Sequence, residues 1–294
     1  MITTTIQGGL GNQMFMYAAA RAMSLRNGTR LALNLKQGFK DDYKFNRHLE
    51  LCNFNIELPQ SHLSTFDVPF GKYFRWISRR IGYNILYPGM KFVIEDLKQN
   101  PEKYTNNKSK NQYLHGYWGA EAYFKDYADV IKKDFTIKDE VISDEIKEEL
   151  SYIHNLGENI VMLGVRRYQE CKDPSYIPPG GLAADEDYYE SAIKYIASKV
   201  TDPVFVVFSQ AQEWVKENVD KGSYTFYYTK PKNEVLGAIE DLYLMTHCKH
   251  YIISNSTFYW WGAYLSKNIN KIVVCPPFNT PYTRCKGWVE ISKK

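Results

Sequence analysis

Two adjacent arginines, Arg166 and Arg167, follow an apolar segment in the second half of the chain. Ser209 follows the next apolar segment, and the stretch Ser254–Thr257 (SNST) follows a later one. If the segments are parallel strands, these side chains converge at the sheet edge where ligands bind. Guanidinium groups match phosphate oxygens, and a helix beginning near SNST adds backbone donors. The set predicts a diphosphate site; the alternatives are a surface ion pair and an ordinary helix cap.

A glycine-rich stretch near the N-terminus, Gly8–Gln13 (GGLGNQ), separates a β-branched run from an Ala/Met-rich run and predicts a strand–turn–helix. The Gly-Lys-Ser/Thr ending of a phosphate loop is absent. The dinucleotide fingerprint fails as well, because Met14 stands at its third glycine and Asp41 is the first acidic residue. NAD and FAD are therefore not expected, and whether the turn contacts another nucleotide or is purely steric stays open.

The surrounding elements predict an α/β fold with parallel strands. Strand 2–6, helix 12–26 and strand 29–35 form a βαβ unit. In the second half, apolar strands alternate with helices, which is typical of a doubly wound sheet. The predicted strands there are 160–165, 204–208, 224–228, 250–254 and 271–275. An acidic, polar segment at 137–159 predicts an exposed helix and a domain boundary, and we assign the domains as 1–150 and 151–294.

Bulk properties narrow the partners. The 294 residues carry a net charge of +4, which favours anionic ligands or a membrane surface and is too small to indicate nucleic-acid binding. The five cysteines form no C-x-x-C pair and predict free thiols. With no spanning run and no signal sequence, we expect a cytoplasmic protein. The basic, apolar segment Lys72–Phe92 predicts a core-packed helix, or else a peripheral contact with the inner membrane.

Two further motifs are expected to be structural. Asp185–Asp187 (DED) matches the Asp-x-Asp of metal-dependent nucleotide-sugar enzymes, but its position before a helix favours capping. His247–His250 (HCKH) has no zinc-site spacing. No metal is expected.

Five stretches resemble the bacterial α-1,2-fucosyltransferases of glycosyltransferase family 11: GGLGNQMFMYAAARA, LHGYWGAEAYF, the segment with Arg166 and Arg167, DLYLMTHCKHYIISNSTFYWWGAYLSKNINKIVV and GWVEI. The resemblance covers nearly the whole chain. It implies a GT-B architecture, with two Rossmann-like domains facing across a cleft. It implies inverting, metal-independent transfer of L-fucose from GDP-β-L-fucose to the 2-OH of a terminal β-galactoside in a surface polysaccharide. No cofactor is implied; residues 1–150 would present the acceptor and 151–294 would hold GDP-fucose.

The resemblance also implies roles for single residues. Asn12 would lie near the donor pyrophosphate, and Arg166 would contact the diphosphate. The family's His-x-Arg-Arg-x-Asp block has Gly164 in place of the histidine and Gln169 in place of the aspartate, so Glu170 becomes the candidate base. Gln210 and Ala211 likewise replace two acids of the family pattern. These departures leave two alternatives open: a transferase for another GDP-deoxysugar, and a non-catalytic nucleotide-sugar- or glycan-binding relative.

The predicted site is therefore as follows. Catalytic residues are Arg166, Asn12 and Glu170; nucleotide-sugar contacts are Gly9, Gly11, Arg166, Arg167, Ser209, Asp241, Asn255, Ser256 and Thr257; acceptor contacts are Tyr117 and Trp118. Asp241 would bind guanine or ribose, with an ordinary surface carboxylate as the alternative.

Overall fold

The chain divides into two compact units in a computed structural model: unit 1, Met1–Thr136, and unit 2, Ile137–Lys294. The structure describes residues 1–40, 42–60, 89–168, 171–173, 175, 184–232 and 235–292. The division falls between residues 136 and 137, whereas the sequence analysis placed it between 150 and 151.

Unit 1 is built on a four-stranded parallel sheet of order β2-β1-β4-β3. Its elements are β1 (Ile2–Gln7), α1 (Leu10–Arg26), β2 (Leu31–Gly38), β3 (Lys91–Ile94), α2 (Glu102–Thr105), β4 (Gln112–His115) and α3 (Ala128–Asp134). The predicted βαβ unit is confirmed. Short 3₁₀ turns precede α3.

Unit 2 is built on a six-stranded parallel sheet of order β10-β9-β8-β5-β6-β7. Its elements are α4 (Asp144–Asn155), β5 (Asn159–Gly164), α5 (Glu186–Ala197), β6 (Pro203–Phe208), α6 (Gln212–Asn218), β7 (Thr225–Tyr228), α7 (Gly237–Thr246), β8 (His250–Ile252), α8 (Thr257–Leu265), β9 (Val273–Cys275) and β10 (Val289–Glu290). The predicted strand–helix alternation is confirmed. The sequence analysis missed β10, because two residues carry no periodic signal.

The apolar runs of unit 2 follow from burial of both sheet faces. All six residues of β6 are buried, and so are five of the six in β5. Strands covered by helices on both sides read as continuous apolar segments rather than alternating ones. This property made the strands recognisable in the sequence.

The strand order of unit 2 contains one topological switch point, between β5 and β8. From β5 the chain moves outward through β6 to β7, then returns to β8 on the other side and continues to β9 and β10. Ligands of open parallel sheets bind beyond the carboxyl ends of the strands at such a point. The topology therefore predicts a ligand site at the segments that follow β5 and β8.

Helix α4 belongs to unit 2 because a buried carboxylate anchors it there. Glu149 is 2% exposed. Its carboxylate accepts hydrogen bonds from the Tyr227 hydroxyl (3.1 Å) and the Lys230 backbone N–H (2.9 Å), and it forms an ion pair with Lys232. The predicted helix exists and its polar face is exposed, but Glu149 faces inward, which explains why the unit begins before this helix.

We expect Glu149→Ala to destabilise the protein by about 3 kcal/mol, because it leaves the Lys232 ammonium without its buried counter-charge. Chemical denaturation followed by circular dichroism measures the loss. Glu148→Ala is the matched control, since Glu148 is exposed on the same helix and should change the stability by less than about 0.5 kcal/mol. Equal effects of the two variants would contradict the anchoring role of Glu149.

Candidate functional site

The predicted diphosphate-binding residues of unit 2 lie together at the carboxyl edge of its sheet. Arg166 and Arg167 follow β5, Ser209 follows β6, and Ser254–Thr257 lead from β8 into α8. β5 is hydrogen-bonded to β6 on one side and to β8 on the other. The three segments therefore emerge from adjacent strands, and two of them flank the switch point.

Buried tyrosine hydroxyls hold the backbone where these strands end. Tyr259, from the first turn of α8, donates to the Phe208 carbonyl (2.8 Å) and lies 3.2 Å from that of Val165. On the opposite side of the switch point, Tyr188 lies 2.5 Å from the Ile253 carbonyl and 3.2 Å from that of Val274. A buried carbonyl without a donor is costly, so these contacts fix the strand ends.

Tyr189 adds a third contact, from its hydroxyl to the Gly164 carbonyl at 3.4 Å. Burial raises the pKa of Tyr188 and of Tyr189 well above the ordinary value of a phenol. Both hydroxyls therefore remain protonated donors across the physiological range. Two neighbouring tyrosines of α5 thus contact the carbonyls at the end of β5 and just beyond the end of β8.

Gly164, where the family pattern has a histidine, has no room for a side chain. A Cβ at this position would lie 2.7 Å from two ring atoms of Tyr259 and 2.9 Å from the terminal methyl carbon of Met162. Carbon atoms do not approach this closely, so any larger residue would force Tyr259 to move. Gly164 and Tyr259 thus form one steric unit in which the tyrosine ring occupies the space beside the strand end.

Both arginines are stacked on aromatic rings. The Arg166 guanidinium carbon lies 4.4 Å from the Tyr168 ring centroid, and that of Arg167 lies 4.1 Å from the Trp214 centroid. Arg166 also donates to the Gln210 side-chain oxygen at 3.4 Å. Stacking fixes the plane of a guanidinium while leaving its edge N–H groups available for oxyanions. An amide oxygen accepts this bond without neutralising the cation, which a carboxylate at 210 would do.

The hydroxyl-bearing residues have separate local roles. Ser209 accepts a hydrogen bond from the Ala211 N–H (2.9 Å), and Ser254 is buried. Ser256 is the N-cap residue of α8, but among the described residues its side chain makes no capping bond. Asn255 and Thr257 are half-buried beside it. The first turn of α8 contains no acidic residue, so its N–H groups are not opposed by negative charge there.

Asp241, on α7, belongs to the polar cluster of Glu149. Burial raises its pKa from the ordinary 3.8 to about 7; the Lys232 charge opposes this, and Glu149 and Glu240 reinforce it. Within the described part of the chain its Oδ1 is buried and has no hydrogen-bond partner. The alternative of an ordinary surface carboxylate is therefore wrong for Asp241.

In unit 1, the GGLGNQ turn is held by side chains of its own chain. Gly8 has φ +73°, a conformation that favours glycine, and the Asn12 side chain packs against it. Gln13 is fully buried. Its amide donates to the Gly8 and His48 carbonyls at 2.8 Å each and accepts from the Glu50 N–H at 2.9 Å.

A carboxylate lies near the N-terminus of α1. Glu50 is 5% exposed, and its carboxylate lies near the Leu10 N–H, while the Arg47 guanidinium packs against Gly9. Burial raises the pKa of Glu50, opposed by His48 and Arg47. A second anion at this helix N-terminus would meet the Glu50 carboxylate. The arrangement disfavours a phosphate cradle at this turn, and Gly9 and Gly11 remain predicted contacts.

The predicted acceptor residues follow β4, at the same sheet edge as the GGLGNQ turn, because β4 pairs with β1. Tyr117 is 50% exposed, and its hydroxyl lies near the Gln7 side chain. Trp118 is 1% exposed. Only Tyr117 therefore presents its ring to solvent, whereas Trp118 is enclosed and supports the turn from behind.

The remaining predictions divide into described and undescribed positions. Glu170 and Gln169, and most of Lys72–Phe92, lie outside the described residues. Asp185 caps α5 through the Tyr188 N–H (3.1 Å), which confirms the capping interpretation. His247 bonds the Tyr243 carbonyl and His250 accepts from the Ile272 N–H, so both have structural roles.

The described ranges contain no cluster of His, Cys, Asp and Glu side chains arranged to hold a metal ion. No helix within them has both the length and the apolar character to cross a bilayer. All five cysteines are free thiols, as predicted.

Sequence reasoning missed Gln13, Glu50, Glu95 and Tyr259. Gln13 stands inside the glycine-rich motif, so its presence there was a usable signal. The other three have no local pattern, because each acts on a segment distant in sequence.

Comparison with known proteins places these observations in a family. The fold matches that of an Arabidopsis thaliana FUT1 mutant in complex with GDP with a TM-score of 0.56 at 12% identity, covering 96% of this chain and 72% of that chain. This likeness confirms the predicted GT-B fold class.

Sequence relatives cover most of the chain. An α-1,2-colitosyltransferase of Escherichia coli is 26% identical over 94% of this chain and 91% of its own length. The O-antigen biosynthesis glycosyltransferase WbnK of Escherichia coli is 29% identical, over 92% of each chain. Galactoside α-(1,2)-fucosyltransferase 2 of Oryctolagus cuniculus is 27% identical over 90% of this chain and 67% of its own length. The model of glycosyl transferase family 11 matches residues 1–286, and the chain therefore belongs to this family of glycosyltransferases.

Proposed function

We propose that this protein transfers L-fucose from GDP-β-L-fucose to the 2-hydroxyl of a terminal β-galactoside, forming an α-1,2 linkage. The observation that carries the proposal is the pair of stacked arginines after β5, set beside the start of α8 at the switch point of unit 2. The names of the relatives support the linkage, and the name of WbnK supports an acceptor in a surface polysaccharide.

The chemistry asks the site to stabilise a departing diphosphate. Breaking the C1–O bond to GDP places negative charge on the β-phosphate, while positive charge develops on the sugar ring. Arg166 and Arg167 supply fixed cationic donors for this charge, and the positive end of the α8 dipole lies beside them. Two guanidiniums meet the electrostatic demand that a divalent metal meets in other transferases, so we propose metal-independent transfer. Because the donor is β-linked and the product is α-linked, the proposed transfer inverts the configuration at C1.

Unit 1 contributes the acceptor side of this proposal. Tyr117 offers an exposed ring beside the GGLGNQ turn. Asn12 remains a predicted contact of the pyrophosphate, and Glu170 remains the predicted base.

A second donor is favoured by one structural feature. Gly164 and Tyr259 change the shape of the strand end where the family pattern has a histidine. One relative carries the name α-1,2-colitosyltransferase. Transfer from another GDP-deoxysugar is therefore the second candidate function, with the same diphosphate chemistry and a different sugar pocket.

The decisive experiment incubates the purified protein with GDP-fucose and lactose, as a terminal β-galactoside, with and without EDTA. We expect a fucosylated product with an α-1,2 linkage, identified by NMR, and equal rates in both samples. Transfer only from another GDP-deoxysugar would support the second candidate. Binding of GDP without transfer from any donor would overturn the proposal in favour of a non-catalytic relative, and inhibition by EDTA reversed by Mn²⁺ would overturn metal independence.

We expect Arg166→Ala to lower kcat/KM by about 10²-fold or more, because a charged donor to the leaving group is lost. Steady-state kinetics with varied GDP-fucose measures this. Arg30→Ala is the control, since Arg30 is exposed in unit 1 and removes the same charge. Near wild-type turnover in Arg166→Ala would exclude the proposed role.

Asp241→Asn tests whether the buried carboxylate binds the ligand and whether it lowers the stability of the folded protein. The folded protein keeps the Asp241 proton up to about pH 7, whereas the unfolded chain releases it above about 3.8. Asp241 therefore lowers the stability progressively from pH 4 to pH 7, and asparagine does not. The melting temperature of Asp241→Asn should exceed that of the wild type by a margin that grows over this range and stays constant above it.

The same variant should bind GDP about tenfold more weakly, because an acceptor for ligand N–H or O–H groups is replaced. Isothermal titration calorimetry measures the affinity. Glu217→Gln, which neutralises an exposed carboxylate in unit 2, is the control for both measurements. Unchanged GDP affinity in Asp241→Asn would make the residue purely structural, and a pH-independent stability difference would contradict the effect of burial.

A further inference from the structure

The turn after β4 has an unusual backbone. Trp118 has φ +56°, in the left-handed region that bulky side chains avoid, and Gly116 has φ +155°. Turns of this kind are ordinarily made by glycine or asparagine. A tryptophan in this conformation costs about 1–3 kcal/mol and persists only where the surroundings impose it. Contacts from the surrounding residues must therefore hold the turn in this conformation.

A single carboxylate imposes this conformation on the backbone. Glu95 Oε2 accepts hydrogen bonds from the Tyr117 and Trp118 N–H groups, both at 2.8 Å. Glu95 is placed for this because it directly follows β3, and its own N–H extends the pairing with β4 through the His115 carbonyl (2.9 Å). Charge-assisted bonds to two successive N–H groups are strong enough to fix a turn.

The space around the carboxylate is full. A Cβ on Gly116 would lie 2.4 Å from the Glu95 Cβ and 2.6 Å from its Oε2. Burial raises the pKa of Glu95, and the two backbone N–H groups and the Tyr123 hydroxyl oppose this as donors. Gly116 is therefore needed so that the carboxylate can approach the backbone.

Trp118 locks the other side of the turn. Its ring meets the Tyr104 and Tyr123 rings edge-on, with centroids 5.3 Å and 5.1 Å away and interplanar angles of 85° and 84°. Trp118 is held inward and Glu95 holds the backbone. The Tyr117 side chain, which lies between them in sequence, is therefore directed outward. Tyr117 is accordingly half-exposed, with its hydroxyl near the Gln7 side chain at the end of β1.

We propose that Glu95 is a positioning residue for the acceptor, and that it holds the Tyr117 ring as a platform for the apolar C–H face of the acceptor pyranose. This inference rests on the proposed function. An exposed aromatic ring on a backbone that is already fixed loses little entropy when a sugar stacks on it. The strained turn thus sets the orientation of Tyr117 for ligand binding, in addition to its structural role.

The test compares steady-state kinetics of four variants with lactose and GDP-fucose. Glu95→Ala and Gly116→Ala should each raise the KM for lactose about tenfold or more while leaving the KM for GDP-fucose unchanged, because only the platform is misplaced. Glu95→Gln retains an oxygen that accepts the two N–H groups and should restore most of the lactose affinity. Glu102→Ala removes an exposed carboxylate from the same unit and should behave as wild type.

A double-mutant cycle identifies the residue through which Glu95 acts. Tyr117→Ala should raise the KM for lactose to a similar extent, and Glu95→Ala should add little in its presence. Independent, multiplicative effects would overturn the inference. So would an unchanged KM for lactose in Glu95→Ala, or equal changes in the KM values of donor and acceptor.

A second measurement does not depend on transfer. Saturation-transfer NMR with lactose should show binding to the wild type and Glu95→Gln, and loss of binding in Glu95→Ala and Tyr117→Ala. Thermal melting confirms that each variant is folded. If the wild type binds lactose but transfers no sugar, the proposed function fails while the platform stands. If the wild type does not bind lactose, or Glu95→Ala binds it equally well, the platform fails.

Discussion

The structure of unit 2 depends on satisfying backbone carbonyls where parallel strands end. Buried carbonyls at or just beyond the ends of β5, β6 and β8, and one within β9, require donors. Backbone N–H groups supply some of these donors, and the hydroxyls of Tyr188, Tyr189 and Tyr259, from two helices, supply further ones. Because the candidate diphosphate residues are the next residues along each strand, the hydroxyls that fix the strand ends also fix the start of every segment in the site.

In unit 1 the groups that need partners are backbone N–H donors, and the groups placed beside them are carboxylates. Its two candidate segments present backbone N–H groups rather than carbonyls, at the start of α1 and in the turn after β4. The buried carboxylate of Glu95 accepts from the N–H groups of the turn, and that of Glu50 lies near the start of α1. Each acceptor comes from a neighbouring segment of the chain, so each turn is defined by a tertiary contact. Preorganisation in both units thus rests on single polar side chains enclosed by aromatic and aliphatic packing.

Departures from the family pattern have a physical explanation in unit 2. A Cβ at Gly164 would meet the ring of Tyr259, so this position has no room for a histidine while that tyrosine is in place. Gln210 pairs with Arg166 as a neutral partner. Both residues shape the immediate surroundings of the arginines.

The sequence by itself determined the α/β class, the parallel strands and the residues at their ends, because strands buried on both faces leave continuous apolar runs and the chain order places polar residues after them. It also separated structural motifs such as Asp185 from chemical ones. Tertiary structure alone decided the strand order with its switch point, the position of Glu50 near the α1 N-terminus, and the exposure of Tyr117 with the enclosure of Trp118. Contacts such as that of Glu95 with Tyr117, 22 positions apart, and that of Tyr259 with Val165, 94 positions apart, leave no local pattern in a sequence.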